Sequence, residues 1–309
     1  MSNLSVHLDD YLKLRRQLGF KLKCEANLLH NFLRFAEGKR AQFITTKLAL
    51  EWAIEPADIQ PERRASRLGV VRRFAKYVSS MDPRTEVPSS KLLPGQFRRR
   101  PPYLYQNDDI RRLIEAARRF DPSAELKNDT LATVLGLLSV TGMRVGEALG
   151  LDSGDVDLKR GLLTIRHAKG NKSRLVPLHR SAQDALQQYA CLRDRRFPQP
   201  LSPSFFVSGG GTRLPYTTMT RWFRVVACQI GLRKRDDRSG PRIHDLRHHF
   251  AVQTLLRWYR TNADVEAHLL DLTTYLGHGH VNGTYWYISA VPELLMLATL
   301  RLEPREVVR

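Results

Sequence analysis

Hydrophobic residues recur at helical spacing through the first part of the chain. Leu4, Leu8 and Leu12 follow one another four positions apart, and Gly19 is placed to end that helix. Similar apolar patterns continue up to about residue 80, each interrupted by glycine, threonine or proline. The pattern predicts a small four-helix domain over residues 1–80.

Periodicity fades between residues 81 and 105, where prolines accumulate. This composition predicts a linker over residues 81–105. A basic run, Arg98, Arg99 and Arg100, lies inside it. Such a run suits contact with a DNA backbone, although a linker that is merely soluble can also be basic.

The pattern along residues 106–309 predicts a larger, mostly helical domain with a small β-sheet. An apolar stripe from Leu131 to Leu138 predicts a buried helix, which Gly142 interrupts. Two β-type runs then flank Gly170-Asn171, a pair typical of a hairpin turn. Helical patterns fill most of the remainder, so the predicted fold class is mainly α (α+β) with a small antiparallel sheet.

The net charge of the chain indicates what kind of partner it binds. The formal charge is +19 at pH 7, an excess that usually marks a polyanionic partner, and double-stranded DNA is the first candidate. No apolar run of about 20 residues could span a bilayer, and no signal peptide is apparent. The only cysteines, Cys24, Cys191 and Cys228, are far apart, which favours a reducing cytoplasm.

The most informative stretch runs from Ile243 to Ile288. On a helix, His244, Arg247 and His248 would share one face because they stand at positions i, i+3 and i+4. The two histidines also have the spacing of metal ligands. The glutamate of the HExxH motif is absent and no cysteine or carboxylate cluster accompanies them, so we predict no metal site.

These residue types suit the cleavage of a phosphodiester by a side chain. That reaction needs a nucleophile, cationic donors for the phosphoryl oxygens, an acid for the leaving 5′-oxygen and a group that handles the nucleophile's proton. Two arginines can replace a metal Lewis acid. The chain offers candidates for each role: Tyr287 for attack, Arg144 and Arg247 as donors, Lys169 as acid, and His244 or His278 for proton handling.

Four motifs in this chain resemble those of the tyrosine recombinase (phage integrase) family. They are Thr141-Gly-Met-Arg-Val-Gly-Glu-Ala-Leu-Gly-Leu151, Ala168-Lys-Gly-Asn-Lys-Ser-Arg-Leu-Val-Pro-Leu178, His244-Asp-Leu-Arg-His-His-Phe-Ala251, and Leu276-Gly-His278 followed by a tyrosine nine residues later. Their shared order makes the resemblance specific. It implies a core-type DNA-binding domain at residues 1–80 and a catalytic domain at residues 106–309.

The resemblance also implies roles for individual residues. Lys169, rather than Lys172, matches the hairpin lysine, and Glu147 matches an acidic position that supports Arg144. Tyr285 lies only seven residues after His278, whereas the family spacing is nine, so Tyr287 matches the nucleophile. The active-site positions implied are Arg144, Lys169, His244, Arg247, His278 and Tyr287.

The activity implied is site-specific recombination of DNA through a 3′-phosphotyrosyl intermediate and a Holliday junction, with no cofactor. The resemblance implies a homotetramer on paired sites, possible cooperation with other recombinases of the same element, and a nucleoid-associated location. A long segment, residues 257–268, and the ending Thr-Tyr-Trp-Tyr-Ile resemble mobile-element integrases more than housekeeping recombinases.

Two alternatives stay open at the level of sequence. A type IB topoisomerase shares the chemistry, and an accessory protein could bind DNA without catalysis. The presence of all six active-site positions argues against the accessory protein. The target sequence and the choice among integration, excision and resolution cannot be read from the chain.

Overall fold

A computed structural model describes residues 3–55, 57–95, 101–166, 173–235, 237, 240–278 and 280–301. The chain divides into two compact units, residues 1–100 and residues 101–309. The predicted fold class is confirmed, since both units are built mainly from helices and the second contains a small antiparallel sheet. Arg98, Arg99 and Arg100 lie outside the described residues, so their contact with DNA stays a prediction.

The first unit is the predicted helical bundle. Leu8, Phe32, Trp52 and Phe74 come from different helices and are fully buried together. Thr45 caps the third helix, because its hydroxyl accepts a hydrogen bond from the Leu48 amide at 3.1 Å. The helices are α1 (Asn3–Gln17), α2 (Lys23–Gly38), α3 (Thr46–Ile54) and α4 (Pro61–Val78).

Part of the predicted linker lies against this bundle. The Glu86 amide donates to the carbonyl of Ile44 at 2.8 Å. Thr85 is buried beside the same residue, and Leu93 packs on the core of the first unit. Residues 81–95 are therefore held by backbone and side-chain contacts, whereas the linker and domain boundaries remain predictions.

The second unit is centred on a buried helix. Its helices are α5 (Asn107–Arg118), α6 (Glu125–Thr141), α7 (Val145–Gly150), α8 (Arg180–Arg196), α9 (Tyr216–Gln229), α10 (Asp245–Arg260), α11 (Val265–Leu276), α12 (Asn282–Ala290) and α13 (Pro292–Leu300). Leu131, Val134 and Leu138 place the apolar stripe of α6 in the core. Around α6 pack α5, α8 and α10.

The sheet has the order β1-β2-β3, with β1 (Val156–Asp157), β2 (Leu162–Ile165) and β3 (Arg174–Pro177). Neighbouring strands are antiparallel, and Ile165 pairs with Arg174 at the end of the β2–β3 ladder. This register agrees with the predicted hairpin. Its turn, residues 167–172, is not among the described residues.

The long interval predicted as a departure from the family forms regular structure. Helix α10 continues to Arg260, and α11 begins at Val265. The Asp264 carboxylate caps α11 by accepting a hydrogen bond from the Ala267 amide at 3.0 Å. Residues 257–268 therefore form the end of α10, a short turn and the start of α11.

Helix α13 packs on its own unit through Leu294, which is fully buried beside residues of α10, α11 and α12. Leu297 is partly buried against the same cluster, whereas Leu295, Met296 and Leu300 are exposed. None of the helices in the described part of the chain is both long and apolar enough to cross a membrane.

Gly142 is the residue that lets α6 end close to α10. Its φ is +59°, and a Cβ at this position would lie 2.4 Å from the Phe250 ring. We expect Gly142→Ala to lower the free energy of unfolding by about 2–3 kcal/mol, because left-handed strain adds to the steric overlap. Chemical denaturation of the purified protein measures this change.

Gly146→Ala is the matched control. Gly146 lies inside α7, has no positive φ, and would place its Cβ in open space. Its replacement should leave stability unchanged or raise it by about 0.5–1 kcal/mol. Equal losses of stability in the two variants would contradict the role assigned to Gly142.

Candidate active site

Three arginines donate hydrogen bonds to the C-terminal end of α11. The last carbonyl groups of this helix have no partner within the helix, and the helix dipole makes this end negative. Three consecutive carbonyls each accept one guanidinium from a different part of the chain. The pairs are Arg174 with Tyr275 at 2.8 Å, Arg247 with Leu276 at 2.6 Å, and Arg144 with Gly277 at 2.8 Å.

Glu147 joins two of these arginines. One carboxylate oxygen accepts from Arg144 at 2.7 Å, and both oxygens accept from Arg174, at 3.1 and 2.8 Å. The Arg144 amide also donates to this carboxylate, at 2.9 Å. Burial alone would raise the pKa of Glu147, but the hydrogen bonds from Arg174 and Arg144 lower it to about 2. Glu147 therefore stays ionised and orients both guanidinium groups.

Arg247 is the most enclosed of the three arginines. Its side chain joins two helix ends, since it donates to Gly142 at 3.0 Å as well as to Leu276. Only 2% of the residue is exposed. Burial, with a smaller contribution from the charge of Arg144, lowers the pKa of Arg247 to about 10, so it remains a cation at neutral pH.

The sequence had predicted that His244 lies inside a helix. The structure places it instead at the N-terminal cap of α10. Its burial, followed by the neighbouring charge of Arg247, lowers the pKa of His244 to about 4. The imidazole is therefore neutral at pH 7 and can accept a proton.

His278 directly follows the turn that ends α11. Its Nδ1 atom lies 2.8 Å from the Thr284 hydroxyl, which in turn lies 2.9 Å from the Thr273 hydroxyl. These contacts fix the plane of the ring. They also aim its Nε2 atom away from Thr284.

Tyr285 and Tyr287 differ sharply in environment. Tyr287 is 0% exposed, and its hydroxyl lies 3.0 Å from Nδ1 of His248. Its ring packs nearly parallel to that of His278, with 6.3 Å between centroids. Tyr285, on the same helix, is 52% exposed. Tyr287 is thus the phenol that belongs to the cluster.

The structure brings together Arg144, His244, Arg247, His278 and Tyr287 through a continuous set of contacts. His248 links this set, because its ring packs against His244 at 4.8 Å between centroids. Lys169 lies in residues 167–172, outside the described residues, so its role stays a prediction. The strands that carry its turn do reach the site, since β3 begins at Arg174.

Beside this cluster is a cavity of about 400 Å³. It is lined by Arg144 and His244 and, from the sheet region, by Thr164 and Arg166. The cavity therefore joins the arginine cluster to the edge of the predicted lysine hairpin.

No catalytic role was predicted from the sequence for Arg174 or His248. Both carried a signal, because Arg174 lies within the lysine-hairpin motif and His248 shares a helix face with His244 and Arg247. Their partners, Glu147 and Tyr287, are distant in sequence, and only the folded chain joins them.

A second cavity, of about 900 Å³, runs along α9 and the loop that follows it. Arg221 and Arg224 of the helix are exposed there. We call this surface the α9 groove. Its described lining residues include no carboxylate; they are Thr217, Thr220, Arg221, Arg224, Val225, Cys228, Gln229, Arg233, Lys234 and Arg235.

Within the described part of the chain, no group of three or more His, Cys, Asp or Glu side chains is arranged to hold a metal ion. The acidic partner of the arginine cluster, Glu147, is already saturated by guanidinium and amide donors.

Comparison with known proteins gives a consistent picture. Residues 104–293 match the model of the phage integrase family. The integrase/recombinase y4rB of Sinorhizobium fredii is 45% identical over 311 aligned positions, which cover 99% of this chain and 98% of the relative. Tyrosine recombinase XerD of Brucella abortus is 30% identical over 76% of this chain and 74% of its own length.

Among solved structures, the Tn1549 transposon integrase in complex with transposon right end DNA superposes with a TM-score of 0.64. The match covers 96% of this chain and 99% of that one, at 15% sequence identity. It demonstrates a shared fold over both units.

Replacing Glu147 tests the electrostatic core of the site. The pKa of Glu147 is lowered to about 2 from a usual value of 4.5, so its stabilising effect is complete above pH 4.5 and is lost as pH falls through 2. We expect Glu147→Gln to lower the free energy of unfolding by about 2–4 kcal/mol at pH 7. The difference in free energy of unfolding between this variant and the unaltered protein should become smaller below pH 4.5, as measured by denaturation curves.

Asp108→Asn is the control, since Asp108 forms an exposed ion pair with Arg111. It should change stability little at any pH. If Glu147→Gln lowers the free energy of unfolding by the same amount at pH 7 and at pH 3, the proposed ionisation of Glu147 is contradicted.

Proposed function

The chain belongs to the phage integrase family and is a site-specific tyrosine recombinase, and on this premise we propose which residues carry out its chemistry. Tyr287 attacks the scissile phosphate and forms a 3′-phosphotyrosyl bond, releasing a 5′-hydroxyl. The energy of the broken bond stays in the phosphotyrosine, so rejoining needs neither ATP nor another cofactor. The observation that supports this most directly is the enclosure of Tyr287, and not Tyr285, within the arginine and histidine cluster.

Arg144 and Arg247 are proposed to bind the non-bridging oxygens of the phosphate. Each guanidinium is held by carbonyl groups and, for Arg144, by Glu147. Preorganised cations of this kind stabilise the charge that develops in the transition state. Lys169 is proposed as the acid that protonates the leaving 5′-oxygen. His244 and His278 are proposed as the remaining catalytic residues of the set.

Tyr287 has no exposed surface in this structure. A phosphodiester therefore reaches its hydroxyl only after the protein opens around it. We propose that DNA binding causes this opening, which confines the nucleophile to the DNA-bound state. Neutral His244 and cationic Arg247 then meet a phosphate that balances the excess positive charge.

The DNA contact surface is proposed to include the α9 groove. Exposed Arg221, Arg224, Lys234 and Arg235 place cations along one side of the catalytic unit. Phosphate contacts from such side chains dominate DNA affinity. Arg98, Arg99 and Arg100, together with the helical unit at residues 1–80, are proposed to bind DNA as well.

A homotetramer on two paired sites is the proposed assembly, with strands exchanged through a Holliday junction. Exposed Leu295, Met296 and Leu300 on α13 supply an apolar surface for a neighbouring protomer. The mass of the complex on trapped sites distinguishes four protomers from two. Other recombinases of the same mobile element are proposed as partners, in the cytoplasm at the nucleoid.

The topoisomerase alternative is not favoured, because the relatives found by comparison are recombinases. An idle accessory protein is not favoured either. It would have no need to keep Arg144, Arg247 and Glu147 in one network that presents cations beside a buried phenol.

A suicide substrate, nicked close to the cleavage point, should trap Tyr287 covalently on DNA. We expect Tyr287→Phe to abolish the adduct, since it lacks the attacking oxygen, and Tyr285→Phe to retain it. Denaturing gels and peptide mapping of the adduct make the comparison. Loss of trapping in Tyr285→Phe alone would show that the attack belongs to Tyr285. No adduct in any protein would favour the accessory role.

The salt dependence of DNA binding tests the α9 groove. Arg221→Gln combined with Arg224→Gln should weaken binding and reduce the slope of log K against log salt by about 0.9 for each phosphate that is no longer neutralised. Arg111→Gln is the control, because Asp108 already pairs with that charge. An unchanged slope in the double variant would remove the groove from the DNA interface.

A further inference from the structure

His248 occupies a position beside the nucleophile that the roles above leave unassigned. It lies in the first turns of α10 and is 4% exposed. Its Nδ1 atom is 3.0 Å from the hydroxyl oxygen of Tyr287, a distance at which a proton can pass between the two atoms.

Packing fixes the ring of His248 in this position. The imidazole meets His244 edge to face, with 4.8 Å between centroids, and Trp286 lies 5.5 Å away. The preceding residue, Arg247, anchors the start of α10 to two other helix ends. A nitrogen held in this way needs little reorganisation to act on the phenol.

The two other histidines of the site are oriented differently toward Tyr287. The His278 ring lies nearly parallel to the phenol ring, and its Nδ1 atom faces Thr284. His244 packs against His248 rather than between His248 and the phenol. The charged residue next to His248 along α10 is Arg247, whose guanidinium donates to the carbonyl groups of Gly142 and Leu276.

We propose that His248 is a further catalytic residue, which accepts the phenol proton of Tyr287 during strand cleavage and returns it during rejoining. This inference rests on the proposed role of Tyr287 as the nucleophile. It concerns the first proton transfer of the reaction, whereas the acid assigned to Lys169 serves the leaving group.

Bonds and protons balance in both directions of the reaction. The bond from the Tyr287 oxygen to phosphorus forms while the bond from phosphorus to the 5′-oxygen breaks. The phenol proton passes to Nδ1 of His248, and the 5′-oxygen takes a proton from the acid. In rejoining, the 5′-hydroxyl attacks phosphorus and returns its proton to that acid, while the departing phenolate recovers a proton from the imidazolium of His248.

Proton transfer must accompany the attack rather than precede it. A free phenol has a pKa near 10 and a free imidazole a pKa near 6.5, so the imidazole ionises only a small fraction of the phenol beforehand. As the oxygen bonds to phosphorus its proton becomes far more acidic. A base already in hydrogen-bond contact can then remove it.

The test compares His248→Gln with His249→Gln in single-turnover cleavage of the nicked suicide substrate. The two histidines are adjacent and almost equally buried, at 4% and 5% exposure, but the ring contact of His249 is with Tyr105. Loss of a general base should slow His248→Gln by about 10²–10⁴-fold. His249→Gln should cleave at the rate of the unaltered protein.

A substrate with sulfur in place of the scissile 5′-oxygen separates the base from the acid. A thiolate leaves without a proton, so Lys169→Ala should recover on this substrate. His248→Gln should stay slow, because its defect lies on the attacking side. Recovery of His248→Gln on the sulfur substrate would overturn the proposal, as would cleavage by His248→Gln at the rate of the unaltered protein.

Thermal melting and DNA binding of each variant establish that it is folded. A second measurement changes the acidity of the nucleophile with little change in its shape. A ring-fluorinated tyrosine at position 287 has a more acidic phenol, so it depends less on a base. It should therefore narrow the difference in cleavage rate between the protein with His248 and the His248→Gln variant. An unchanged rate difference would contradict proton transfer and leave only a positioning hydrogen bond.

Peptide mapping of the adduct separates this proposal from the one on which it rests. An adduct at Tyr285 would overturn both. An adduct at Tyr287, together with an unaltered rate for His248→Gln, would overturn only the role of His248.

Discussion

The structure of the catalytic unit depends on the carbonyl groups at the end of α11 that have no partner within the helix. Tyr275, Leu276 and Gly277 each accept a guanidinium, and the three donors come from β3, α10 and the start of α7. A buried cation requires acceptors, and a helix C-terminus supplies several of them together with a negative dipole. Gly277 adopts a φ of +67°, so the chain can turn directly into the segment that carries His278.

This arrangement concentrates positive charge at the proposed phosphate-binding site. Two of the three guanidinium groups share the carboxylate of Glu147, while backbone carbonyls supply the other acceptors, including both for Arg247. Each carbonyl fixes geometry without cancelling charge. Burial and the excess of positive charge together lower the pKa of both Arg247 and His244, which keeps the histidine neutral at pH 7. The preorganised positive charge and the neutral state of His244 thus have the same structural origin.

The proposed nucleophile lies on a different element from the arginines. Tyr287 belongs to α12, which packs on α10, α11 and α13 rather than on the sheet. Its hydroxyl is enclosed beside His248, so the phenol and the cationic cluster meet at α10. Opening around one short helix can therefore control access to the proposed nucleophile while the arginine cluster stays assembled. In the proposed tetramer, the exposed side of α13 would offer a surface through which a neighbouring protomer influences that opening.

Local spacing in the sequence was sufficient to predict most of the longer helices and the hairpin, because apolar periodicity and helix ends depend on residues only a few positions apart. The resemblance to the family, through its nine-residue interval after His278, favoured Tyr287 over Tyr285. Local spacing could not predict the position of Arg174 in the site, since the carbonyl to which Arg174 donates is 101 residues away. Nor could it pair His248 with Tyr287, or reveal that residues 81–95 lie on the helical bundle. Those contacts follow from how the elements pack, and long-range packing decides which acceptor a buried donor finds.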